Sequence, residues 1–112
     1  MSLADELEVR IAGNLCQPVT CITCGGSTLA TTRIAASPIA LVGGRMERTP
    51  VTLALEVHGA ANAAAFAARA GVGSRVILRG TLEQRAMNPP TYVVIVERLL
   101  YLAPPTGAVQ EA

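Results

Sequence analysis

The chain contains no tryptophan and no lysine, and it has a single histidine, His58, and a single aspartate, Asp5. A Ser-His-Asp nucleophile would have to recruit Asp5 from the N-terminal tail, which sets that chemistry aside. Charged residues are 15% of the 112 positions and the net charge is +1, so bulk charge alone makes no strongly basic nucleic-acid clamp. Three cysteines, an odd number, build no secreted disulfide framework. The opening stretch MSLADELEVR has neither a basic n-region nor an apolar h-region, and no apolar run is long enough to span a bilayer. The segment GVGSR follows a helical stretch and enters a strand, the reverse of a dinucleotide fingerprint. The expectation is a soluble cytoplasmic protein with no enzymatic activity, no cofactor, no small-molecule substrate and no membrane contact.

What the chain does have is apolar surface and arginine. Apolar residues are 51% of the chain, enough to imply that a partner covers some of them, most simply a second copy. All nine positive residues are arginine, and nineteen residues are alanine, as a GC-rich coding bias would produce. Arginine also suits phosphate contact and base stacking, so both readings of these side chains stay open.

Periodicity organises one domain over 1–104, followed by a short flexible tail, 105–112. Leu7, Val9 and Ile11 alternate with Glu6, Glu8 and Arg10, which predicts a half-buried first strand; Gly13-Asn14 marks a bend, and the chain continues through Val19–Thr23. Gly25-Gly26 marks a hairpin tip, and a second strand runs from Thr28 to Ala36. The segment 37–50, with two prolines and a Gly-Gly pair, reads as a long loop. Val51–Val57 alternates as a third strand. Ala60–Ala70 is the one helical stretch, stopped by Gly71, with Phe66 its only large apolar side chain and the expected plug of a barrel end. A fourth strand begins at Arg75, residues 86–91 read as a turn, and Tyr92 to Leu102 forms the last strand. The order β-β-β-α-β-β is that of a five-stranded, partly open Greek-key barrel, the OB-fold.

Several short pieces resemble the bacterial single-stranded DNA-binding proteins. Gly13-Asn14-Leu15 with Gln17-Pro18 is similar to their GNL-x-x-D-P opening, and LATTRIAA (29–36) to their second strand. Val51–Gly59 is similar to the third strand, and Tyr92 through Leu102 to the closing one. Gly73-Ser74-Arg75-Val76, followed by Gly80 and Leu82, resembles their GSRV-x-x-x-G-x-L signature. The resemblance implies an OB-fold protein of DNA replication, recombination or repair. It would be bacterial and nucleoid-associated, would assemble as a dimer or tetramer, and would hold single-stranded DNA without covalent chemistry. Where that family commonly places tryptophan or phenylalanine platforms, this chain has Ala40, Thr52, His58 and Met87. Stacking is worth about 1–3 kcal/mol per base, so the chain is expected to lean on charge instead.

The expected nucleic-acid face therefore combines Arg33 on the second strand, Arg45 and Arg48 in the 37–50 segment, and Arg75, Arg79 and Arg85 on the fourth strand. Thr52, His58 and Met87 complete it. Each arginine is equally a candidate for the solvated side of an alternating strand, and Tyr92 and Tyr101 suit packing more than stacking. The other class of function the sequence allows is an OB-fold adaptor working through protein contacts with replication proteins, similar to primosomal replication protein N. The stretch VTCITCGGST raises a third reading, a zinc or redox module. A structural zinc site wants four ligands, and the chain offers Cys16, Cys21, Cys24 and His58 with no second C-x-x-C. Cys21 and Cys24 differ by three positions and point to opposite faces of a strand, so a plain hairpin with no metal is expected.

Overall fold

The computed structural model describes residues 6–105; Asp5 and residues 106–112 of the expected tail lie outside them. Alternation in the sequence becomes inside and outside of a barrel wall. In β1 (Leu7–Leu15), Ile11 and Leu15 are buried while Arg10, Ala12 and Asn14 face outward. In β3 (Ser27–Ala36), Ala30, Thr32 and Ile34 point inward, and in β6 (Val51–His58) Leu55 and Val57 do. β7 (Arg75–Met87) contributes Val76 and Leu78, and β8 (Pro90–Leu102) contributes Val94.

These five strands close a ring. β1 pairs with β7, β7 with β8, β8 with β6 in parallel, β6 with β3, and β3 with β1 at Asn14 and Leu15. α1 (Ala60–Arg69) lies in sequence between the third and fourth ring strands, so the expected OB-fold order holds. β2 (Thr20–Cys24) extends the sheet outside the ring by pairing with β3.

Phe66 is 5% exposed and sits with Ala63 in the core cluster, as expected of a plug. The turn after the helix ties the ring together. Ser74 is fully buried; its hydroxyl accepts from the Gly71 amide at 3.0 Å, and its carbonyl accepts from the Leu15 amide at 2.9 Å. Gly80 lets β8 pass close to β7, since a Cβ there would run into the Ile95 carbonyl and the Val94 side chain.

Three segments depart from expectation. Gly13-Asn14 marks no bend: both residues lie within β1, in register with Val76 and Arg75 of β7. Residues 37–50 are not a loop: β4 (Ile39–Val42) and β5 (Arg45–Arg48) form a separate two-stranded hairpin. Its turn at Gly43-Gly44 has φ of +56° and +80°, close to the +59° and +81° of Gly25-Gly26 between β2 and β3. Both are the left-handed pairs that tight hairpins require. Residues 86–91 are also mostly strand, because β7 runs to Met87 and β8 starts at Pro90.

Candidate nucleic-acid interface

Strand pairing sets side chains in rows across the outer wall made by β2, β3, β6 and β8. Ile22, Leu29 and His58 stand in one row, and Thr20, Thr31, Glu56 and Ile95 in the next. Arg33, Ala54 and Val93 follow, then Ala35 and Thr52. From His58 to Thr52 the wall is about 20 Å long, at roughly 3.4 Å per strand residue. Its middle rows mix small, apolar and charged side chains.

Charge on this wall is organised by Glu56. Its carboxylate accepts two hydrogen bonds from Arg85, at 2.7 Å to Oε1 and 3.0 Å to Oε2, and a third from His58 Nε2 at 2.8 Å. Arg85 Nε also donates to Glu83 at 2.8 Å. Burial pushes the Glu56 carboxyl up, but the hydrogen bonds from Arg85 and His58 outweigh it and hold the group below its ordinary range. The same bonds to Glu56 and Glu83 raise the Arg85 guanidinium above its ordinary value. Arg85 is thus paired with both Glu56 and Glu83, and with Arg33 the wall holds two arginines and two carboxylates, close to neutral.

Arg33 is the exception. Its guanidinium donates to the Thr52 hydroxyl at 3.1 Å and carbonyl at 3.4 Å, which orients it without cancelling its charge. Of the residues expected from sequence, Arg33, Thr52, His58 and Arg85 come together here. Met87 is 82% exposed at the β7–β8 turn. Arg45 and Arg48 are on β5, where Arg48 donates to the Ser37 carbonyl at 3.2 Å. Ala40 is on β4, in register with Glu47. Arg75 and Arg79 are not part of this wall: they stand on β7 where it pairs with β1, and β8 separates them from β6. Alternation alone put them on the same face as Arg85, but bulges in the β7–β8 pairing and the curvature of the ring divide one strand between two walls.

Sequence reasoning passed over Glu56, Ile22 and Leu29. The alternation that selects Arg33 and His58 also selects these residues, but none of them is cationic or aromatic.

The cysteines diverge. Cys21 is in register with the inward Ala30 and its Sγ lies 3.9 Å from the Ala63 carbonyl of α1, while Cys24 pairs with Ser27 beside the hairpin turn. Cys16 Sγ points instead at the Arg33 carbonyl, at 3.6 Å. No cluster of three or more His, Cys, Asp or Glu side chains able to hold a metal occurs among the described residues. No helix among them is long and apolar enough to cross a membrane.

No known family profile matches the chain, and no curated protein matches it in sequence. Solved structures do. The second single-stranded DNA-binding protein of Mycobacterium smegmatis superposes with a TM-score of 0.65 at 17% identity, covering 93% of each chain. A small single-stranded DNA-binding protein of Streptomyces coelicolor gives 0.67 at 10% identity, covering 93% of this chain and 98% of that one. The mitochondrial single-stranded DNA-binding protein of S. cerevisiae gives 0.68 at 15% identity, covering 87% and 96%. The likeness spans nearly the whole of each partner, and it establishes the shared OB barrel.

Proposed function

We propose that the chain is a non-catalytic single-stranded DNA-binding protein. The observation that carries this reading is the match in fold, over nine-tenths of the chain, to proteins that bind single-stranded DNA. The β2–β3–β6–β8 wall would receive the strand. Arg33, oriented by Thr52, supplies a phosphate contact, and the Ile22–Leu29–His58 row supplies a shallow surface for bases. With no tryptophan and a carboxylate at the centre of the wall, binding is weak and salt-sensitive. Fluorescence anisotropy of a labelled oligo-dT tests this. Binding at low salt that fades toward physiological salt, with preference over duplex DNA, is expected; no binding at micromolar protein in low salt would overturn it.

Roles in bacterial DNA replication, recombination or repair, and a cytoplasmic, nucleoid-associated setting, belong to the same proposal. So does a homo-oligomer. From Leu7 to Gly13 one edge of β1 has no partner strand among the described residues, and a second copy could extend the sheet there. A second reading, an adaptor for replication proteins, is favoured by the β4–β5 hairpin. Its Ile39, Leu41 and Met46 are 55%, 69% and 70% exposed, an apolar cluster better suited to protein than to phosphate. Pull-down from nuclease-treated lysate separates the two readings, because an adaptor keeps its partner when nucleic acid is destroyed.

A further inference from the structure

Unpaired positive charge is concentrated on a different wall, the one formed by β1, β7 and β8. Strand register sets Arg10 opposite Arg79, and Arg79 opposite Arg98, so three arginines on adjacent strands form one row. All three are exposed, and none has an ion-pair or hydrogen-bond partner among the described residues. Like charges directly opposite on neighbouring strands are destabilising, and adjacent Cα atoms in such rows are about 4.5–5.5 Å apart. An anion bridging the row would relieve that repulsion. Two carboxylates flank the row, Glu97, which accepts a hydrogen bond from Thr81 at 2.9 Å, and Glu8, which faces Thr81 in register; both lower the local charge, but neither forms an ion pair with the three arginines.

Two neighbours give the row a direction. Two residues before Arg79 on β7, Ile77 pairs with Tyr101, a residue 51% exposed on the same wall. On the other side, Arg10 also lines a groove of about 490 Å³ between β1 and the foot of the β4–β5 hairpin, together with Arg48 and Arg75. No carboxylate lines that groove. Arg75 is held by Asn14 at 3.1 Å and Arg48 by the Ser37 carbonyl at 3.2 Å, so both guanidiniums are positioned before any ligand arrives.

We propose that this wall is a second nucleic-acid site, in which Arg10, Arg79 and Arg98, with Arg48 and Arg75 in the adjoining groove, take the phosphates of a single strand and Tyr101 stacks on a base. Guanidinium forks match phosphate geometry bidentately, and an aromatic ring beside them selects a nucleic-acid strand over a bare polyphosphate. The inference rests on the reading of the chain as a single-strand binder and adds a site that the β3–β6 wall does not contain.

The test compares wild type with R10Q/R98Q, Y101A and R33Q, using oligo-dT short enough for one wall and long enough for two, with tripolyphosphate as competitor. R10Q/R98Q should bind the long strand about five- to tenfold more weakly at low salt and lower its log–log salt slope by about 1.4, the share of two phosphates at roughly 0.7 each. R10K/R98K should recover part of the affinity, and Y101A should weaken long-strand binding about fivefold or more. Tripolyphosphate should compete less well than oligo-dT. These surface substitutions should leave the circular dichroism spectrum unchanged. If wild type binds oligo-dT and R10Q/R98Q and Y101A match it in affinity and slope, the second site is wrong while single-strand binding stands. If wild type binds no strand at all, both fall.

Discussion

At the scale of the residue, Glu56 decides how the proposed interface behaves. Its carboxylate engages Arg85 in two hydrogen bonds and His58 in a third, which withdraws two ligand-seeking side chains from any incoming phosphate. Removing the charge should therefore strengthen DNA binding while weakening the fold. We expect Glu56→Gln to raise oligo-dT affinity several-fold at low salt in an anisotropy titration. The pH dependence follows from the direction of the Glu56 shift. Because the folded carboxyl lies below its ordinary value near 4.5, the network contributes stability above that value and loses it as pH falls through the lowered one. Thermal melts of wild type and Glu56→Gln should differ at neutral pH and converge in acid. An unchanged gap across that range would refute the assignment.

At the scale of the element, the strands of the ring were legible because each buries one face. Leu55 and Val57 against Glu56 and His58 is a period-2 signal that survives any detail of packing. The β4–β5 hairpin was not legible in the same way, since its strands are short, flanked by Pro38 and Pro50, and largely exposed. Its turn nevertheless repeats the Gly-Gly pair that identified the β2–β3 hairpin, so the signal was present and the prolines masked it. The candidate site was harder still. Arg75, Arg79 and Arg85 share one strand and one parity, and their division between two walls depends on bulges and ring curvature that no local pattern encodes. If the hairpin is a contact element and not part of the core, Leu41→Ser with Met46→Ser should change stability by less than about 0.5 kcal/mol in calorimetry. The same double variant should lose any protein partner retained after nuclease treatment.

At the scale of the whole molecule, a net charge of +1 conceals an uneven distribution. The β3–β6 wall sets Arg85 against Glu56 and Glu83 and leaves Arg33 on Thr52, whereas the β1–β7–β8 wall carries Arg10, Arg75, Arg79 and Arg98 with Glu8 and Glu97. A barrel with one nearly neutral, shallow wall and one arginine-rich wall suits a ligand held weakly at many points, as a flexible strand is. That a chain without tryptophan shares its fold with single-stranded DNA-binding proteins at 10–17% identity reflects what the barrel requires. Ser74, Gly80 and the alternating apolar positions belong to closure of the ring, and the stacking platforms do not.

The most direct test is an amide NMR titration of the labelled protein with oligo-dT at low salt. The account predicts progressive shifts on β3 and β6, centred on Arg33, Thr52 and His58, that reverse when salt is added. Saturating oligo-dT that leaves the β3 and β6 amides unmoved would contradict it.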